Sequence, residues 1–457
     1  MVRVRRIIFI GLMLQGCVSS PDRSDSVRGG HESGDPAYVE SMALVAESDR
    51  PRDALLWRLE RGLALRRLGR TRESVGVFEQ VEEALREEED RPGFSPSGAV
   101  SALLVNDLSL PYAAKPADRI YASAYQALNR LETGDLTGAR VSLNRLRFIQ
   151  EAFGNPEIYL PPASDPEAER ILREPVTREG LDRIDDGLQT LLKDGAYDDA
   201  FAHWLQGMFF WRLGLDASDR EKGRKALSAA ARLSPGCEAL RLDLAQATDG
   251  LPQGRVVYFV AETGLCPLWQ EERVDIPLFI VARDVPLVSV ALPAMRPVGQ
   301  VFSPDVNLGG VRLDFTRISS TEGLIASHFS KTMPSVRARA LTSAAAKAAA
   351  SYAINRASRV AAERPDAGTK EVVWAVAARL GTTLYGYSST RADLRNWSGL
   401  PARTFLARSD APAGVEVSVK GMTGPPIRLP EGKVLLVSIS QPTENGPVTV
   451  RCSTLSP

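Results

Sequence analysis

A multidomain fold, an all-α helical half followed by an α+β domain, is predicted by three features of the chain. Apolar residues recur at three- and four-residue steps from about residue 39 to 247. At residue 251 the texture changes to β-branched and aromatic runs edged by proline and glycine, the pattern of strands. A second helical stretch, about 320–390, interrupts those strands before they resume to the C-terminus, so the α+β domain combines a sandwich-like sheet with a two-helix insertion. The composition, 44% hydrophobic and 25% charged, is that of a globular chain long enough for several domains.

The first residues carry an address. Met1 to Arg6 form a positively charged stretch, and Ile7 to Leu14 form an apolar run too short to cross a bilayer. Leu14-Gln15-Gly16-Cys17 then fits the bacterial lipobox, in which a small residue exposes the backbone to the peptidase and the cysteine sulfur receives the lipid. Residues 1–16 read as a signal peptide, and Cys17 as a lipidated N-terminus holding several acyl chains, enough for stable anchoring. Val18 stands where an aspartate would retain the chain at the inner membrane. The outer membrane, periplasmic side, is therefore the expected location, with the inner membrane as the alternative. The polar run that follows completes a flexible tether, residues 17–38.

The helical domain, 39–247, contains three similar units. In 53–85, two amphipathic helices meet at Leu68-Gly69-Arg70, and Gly62, Leu65, Ser74 and Phe78 fall at the small, large, small and aromatic positions of a tetratricopeptide repeat. In 117–153, Ala127 and Ala139 keep the spacing and Leu143 replaces the aromatic; in 200–236, Trp204, Gly207, Phe210 and Gly214 mark the first helix and Ala226, Ala230 and Pro235 the second. Such pairs need neighbours to bury their faces, and arrays of them bind protein partners on a concave side. Trp57, Trp204 and Trp211 read as core.

The α+β domain, 251–457, opens with a strand at 255–263, then a loop "LCPLWQEE", then strands "RVDIPLFIVA" and "LVSVALPAM". An alanine-rich helix is expected at 335–363, begun after Pro334, and a second at 370–387; "TFLARSD", "GVEVSVKG", "KVLLVSIS" and "VTVRCST" read as the closing strands.

Chemistry is sparse. Lysine plus arginine and aspartate plus glutamate are 56 each, which leaves no basic field for nucleic acid. No nucleophile elbow, zinc-binding helix motif or phosphate loop is present, and no cofactor or metal is implied. Of three histidines, His31 falls in the tether, His203 in a repeat helix and His328 in a loop. Besides Cys17 there are Cys237, Cys266 and Cys452; an oxidising compartment permits one disulfide, Cys266–Cys452 being preferred, and three unpaired thiols are the other reading. Asp393, Arg395 and Trp397 form either a ligand-binding cluster or, more simply, a salt bridge and an aromatic plug.

Two stretches carry a resemblance. "GRVVYFVAETGLCPLWQEERVDIPLF" holds Gly264, Pro267, Glu272 and Pro277, and "ADLRNWSGLPARTFLAR" holds Asp393, Arg395 and Trp397 before Leu400-Pro401. In both, the chain resembles an uncharacterised family of bacterial lipoproteins with N-terminal tetratricopeptide-like repeats and a C-terminal β-containing domain. The resemblance implies a cell-envelope lipoprotein and carries over no catalytic residue.

The expected function is thus a non-enzymatic envelope adaptor, moored to the membrane by its lipid and binding an envelope protein partner through its helical repeats. The alternative is a peptidoglycan-binding protein or enzyme using the C-terminal domain, which would need His328, Asp393, Arg395 and Glu272 in one cleft.

Overall fold

The computed structural model describes residues 23–90, 110–158, 173–277, 287–299, 301–362 and 391–456. The leader, Cys17 and the helix expected at 370–387 lie outside the described residues.

The N-terminal region is helical: α1 (Arg23–Glu32), α2 (Pro36–Asp49), α3 (Ala54–Arg67), α4 (Thr71–Glu89), α5 (Pro116–Glu132), α6 (Leu136–Phe153), α7 (Pro175–Leu192), α8 (Ala200–Arg212), α9 (Ala217–Leu233) and α10 (Glu238–Asp249). Aspartates start several of them. Asp35, Asp135, Asp199 and Asp216 each accept the backbone N–H three residues on, at 2.8–2.9 Å. Such a cap contributes about 1 kcal/mol to a helix. Gly69 (φ 74°) and Gly134 (φ 81°) turn the chain between the helices of the first two pairs, in a conformation that disfavours a Cβ.

The helix pairs pack through the small residues their spacing singles out. A Cβ on Gly62 would lie 2.8 Å from the Phe78 ring, and Ser74 Oγ donates to Gly62 O at 2.7 Å. Ala127, Ala139 and Leu143 are fully buried. In the third pair the close approach is made by Gly207 against Leu227 and by Gly223 against the Trp211 backbone.

Three strand groups follow. A five-stranded sheet has the order β11-β10-β1-β7-β6, from β11 (Thr449–Ser456), β10 (Val434–Gln441), β1 (Val256–Thr263), β7 (Arg403–Ser409) and β6 (Thr316–Ser320). Its β1–β10 pairing is parallel and the others antiparallel. Side chains alternate across it. Tyr258, Val260 and Leu436 join the helices in one core; Val257, Phe259 and Val437 face a second core. That second core is completed by Val306 of β4 (Val306–Leu308) and Val417 and Val419 of β8 (Glu416–Val419), which with β5 (Val311–Arg312) and β9 (Ile427–Arg428) make a four-stranded sheet. Strands β2 (Leu268–Pro277) and β3 (Leu287–Arg296) form a separate hairpin.

The first helix of each pair lies between the second helix and the five-stranded sheet. Helix α5 is buried nearly all round, and α3 and α8 are close to it, whereas α4, α6 and α9 each bury one face. The inner side of the helix pairs is thus covered by the chain's own sheet. Tyr125 on α5 donates to Glu262 on β1 at 2.8 Å, and Arg451 on β11 bonds Arg66 O on α3.

Several expectations are corrected. Residues 23–38 are not a tether: α1 is a helix whose Val27 and His31 are buried, and His31 Nε2 lies 2.8 Å from Glu60 Oε2. The polar composition of that stretch concealed contacts made by ion pairing rather than apolar area. Helix α7 leaves the helical domain: Leu181, Ile184 and Leu188 pack on Val274, Val290 and Met295 of the hairpin, so the boundary near residue 250 is not a seam between cores. The stretch 268–272 is strand rather than loop. Helix α11 (Thr321–Ala362) begins well before Pro334 and runs through it, and it carries His328 on a helix instead of a loop. Pro334 is exposed, while Phe329, Met333 and Val336 around it are seated in the hairpin core, so packing offsets the one backbone bond a proline removes. The Cys266–Cys452 bridge is absent and the three described cysteines are free. Cys266 lies in the helix-side core and Cys452 against the opposite face of the sheet, so the sheet stands between them.

Candidate functional site

The run into α5 positions the side chains that matter. Lys115 precedes Pro116 and is extended, as residues before proline are (φ −76°, ψ 161°). Asp118, three residues on, turns back to accept from Lys115 N at 2.8 Å, closing the first turn. The same carboxylate oxygen accepts from the Tyr112 hydroxyl at 2.6 Å.

These residues form one wall of a cleft of about 420 Å³. The facing wall comes from the other half of the chain: Trp269 on β2, His328 and Phe329 on α11, and Arg395 and Trp397 in the segment before β7. Lys115 Nζ stands 4.0 Å from the centroid of the Trp269 ring and donates to Arg395 O at 2.6 Å. Phe329 meets the same indole edge-on at 4.9 Å. An ammonium over an indole face in a partly desolvated site is a favourable cation–π pair.

The charged groups are held by one another. Arg395 clasps Asp393 with two bonds, at 2.9 and 2.6 Å, and its remaining nitrogen reaches buried Asp53 at 2.6 Å and Leu110 O at 2.9 Å. Trp397 is buried against Phe78 and Tyr125. The salt bridge and aromatic plug are therefore both present, and they also form the floor of the cleft. Burial lowers the Lys115 ammonium and raises the Asp118 carboxyl, while each opposes the shift of the other. Burial brings His328 down to about 4, so its imidazole is neutral at pH 7, set edge-on to Tyr197.

Of the four residues expected to meet, His328, Asp393 and Arg395 line the cleft and Glu272 does not. Glu272 accepts from Arg296 at 3.0 Å and lies 3.9 Å from Arg183, a surface ion pair. The two resemblance stretches are neighbours in space. Gly264 (φ 71°) turns the chain after β1 with Ala402 against it, Pro267 is buried, and Cys266 N donates to Leu400 O at 2.8 Å. The Cys266 thiol donates to Trp397 O at 3.3 Å. Pro277 ends β2.

Sequence reasoning missed Lys115, Asp118, Tyr112 and Asp53. Asp118 had a local signal, an acid at the third position of a helix opened by proline; Lys115 had none, because Trp269 reaches it from a distant strand. His203 is half-buried, 2.8 Å from Asp198. Among the described residues no cluster of histidine, cysteine and acids could hold a metal ion, and no helix is long and apolar enough to cross a membrane.

Comparison with known proteins adds little. No family model matches the chain, and no curated protein matches it. Among solved structures, a tetratricopeptide repeat protein from Parabacteroides merdae ATCC 43184 aligns with 14% identity over 50% of this chain and 98% of its own, at a TM-score of 0.14. A superposition that loose bears no weight, and the pairing of the helices rests on the packing of Gly62, Phe78, Gly207 and Gly223.

Proposed function

We propose that the chain is a lipid-anchored envelope protein that works by binding rather than catalysis, and that it takes its partner in the Lys115–Trp269 cleft. The reading differs in one respect from an ordinary repeat adaptor. The inner side of the helix pairs, where such arrays bind partners, is filled by the five-stranded sheet, so the open concavity is displaced to the junction of the two halves. The observation that carries it is the cleft itself: a ligand-sized space in which Trp269, Phe329 and Tyr112 stand beside convergent charged groups such as Lys115 has the form of a binding site. Arg395, Asp393 and Asp53 satisfy one another, and Asp118 is held by Tyr112 and the Lys115 backbone, which supports binding over acid–base chemistry. Lys115 uses one donor on Arg395 O, and an ammonium has three. The occupant that fits is an apolar segment of an envelope protein presenting a carbonyl or carboxylate oxygen to Lys115.

A photo-crosslinking residue placed at Leu55, in the cleft wall, tests this in the full chain in its native membrane. One defined protein adduct is expected there, lost in Lys115→Met and Trp269→Ala. Adducts that survive both substitutions, or that form from Phe148 on the outer face of α6 and not from Leu55, place binding elsewhere. A peptidoglycan reading draws support from His328, Asp393 and Arg395 sharing the cleft; co-sedimentation with cell-wall sacculi, lost in Trp269→Ala, would favour it over a protein partner.

A further inference from the structure

Helix α2 has two apolar sides. Val39, Ala43 and Ala46 face the core. The opposite side shows Ala37, Tyr38, Ser41, Leu44, Val45 and Ser48 to solvent, without a charge among them. Tyr38, Leu44 and Val45 are 43%, 48% and 43% exposed, high for large apolar side chains gathered on one short helix. Other outward helix faces carry charge among their residues: Glu73, Glu79 and Glu83 on α4, and Arg147 and Glu151 beside the exposed Val141 and Phe148 on α6. The acids of α2 are drawn to its flanks and neutralised there. Glu47 pairs with Arg58 at 2.7 Å, Glu40 with Arg61 at 3.2 Å and Asp49 with Arg23 at 3.2 Å. An uncharged, largely apolar stripe whose bordering acids are all held in ion pairs suits a lipid surface and would be a liability in free solution.

The chain also ties this face to a lipid. Arg23 of α1 stands six residues after Cys17, and a turn at residues 33–35 leads directly to α2. Six residues reach at most about 22 Å even when fully extended. A body held that closely stays beside the bilayer, and α1–α2 is the part next to the anchor. We propose that the outward face of α2 lies on the membrane surface, with Tyr38 at the headgroup level and Leu44 and Val45 below it. The proposal rests on lipidation of Cys17 as set out under the function. It gives the body a fixed orientation in place of free rotation about a tether.

The test uses the full chain purified from membranes and reconstituted into vesicles of phosphatidylethanolamine and phosphatidylglycerol, with and without nitroxide-bearing acyl chains. An environment-sensitive fluorophore is attached at Leu44→Cys, or at Phe148→Cys as comparison, in a Cys452→Ser background. The α2 label should be blue-shifted and at least about two-fold more quenched than the α6 label, as expected of a face sunk ~5–10 Å into the interface. Intact mass measures acylation separately. An acylated chain whose Leu44 label is quenched no more than its Phe148 label overturns the docking face alone; a chain without acyl groups overturns both it and the anchored reading.

Discussion

His31 Nε2 stands 2.8 Å from Glu60 Oε2, and both side chains are buried. The other ring nitrogen faces Arg67 at 2.8 Å, and because arginine only donates, Nδ1 must accept and Nε2–H must donate to Glu60. Glu60 also accepts from Ser398 N at 2.6 Å, Ser398 Oγ at 2.7 Å and Gly399 N at 3.2 Å. One carboxylate thereby joins α1, α3 and the segment before β7. Glu60→Ala should cost about 3–5 kcal/mol, the range for removing one member of a buried charged network. A loss below about 1 kcal/mol, read from the urea midpoint shift at constant m, would show that the network is replaced by water.

Acid should weaken the fold through two histidines. Burial holds His31 below its ordinary 6.5 and His328 down to about 4. The unfolded chain then binds protons at a higher pH than the folded one. Stability present above pH 6.5 is lost as the pH falls below it, and His328's share is complete near pH 4. His328 alone should account for about 2 kcal/mol between pH 7.5 and 5. His328→Gln should flatten the stability curve over that window; superimposable slopes would contradict the burial of the imidazole.

Two glycine substitutions should act in opposite directions. Gly76 on α4 has open space where a Cβ would go, so Gly76→Ala should stabilise by about 0.5–1 kcal/mol through helix propensity. A Cβ on Gly223 would lie 2.5 Å from Trp211 N, a backbone atom that cannot step aside. Gly223→Ala should therefore destabilise by about 1–3 kcal/mol or more. Thermal melts of the two variants beside the parent decide it, and equal shifts would argue against the close α8–α9 approach.

Thiol counting tests the cysteines and the anchor together. The native chain should react slowly, since Cys237 and Cys266 are buried and burial pushes the Cys266 and Cys452 thiols up to about 11. After denaturation without reductant, three of the four cysteines should titrate if Cys17 is a thioether, and all four if it is not. One titrating thiol would restore a disulfide.

What the sequence disclosed was local. Gly62, Ser74 and Phe78 announce their packing by spacing, and β1 and β10 by their β-branched runs, because those signals are properties of neighbouring residues. What stayed hidden was pairing across long separations. Helix α1 reads as a polar linker because its stability comes from His31 on Glu60 and from Arg28 reaching Cys266 O at 3.3 Å. Helix α7 has clear amphipathic spacing, but nothing in that spacing states that its partner is the β2–β3 hairpin. The cleft was half legible: Asp393, Arg395 and Trp397 drew notice as a cluster, while Lys115 acquires its meaning from Trp269, which only the fold brings over it.

The placement of α5 has a consequence for how the molecule is made. Tyr125, Trp204 and Phe201 share one core with Leu436 and Leu455, which come from near the end of the chain. A half-synthesised polypeptide therefore emerges with its most aromatic surface bare and without the strands that will cover it. Such nascent chains are prone to stick to one another, so this protein's yield should depend more on escort by a chaperone than on the strength of its finished fold.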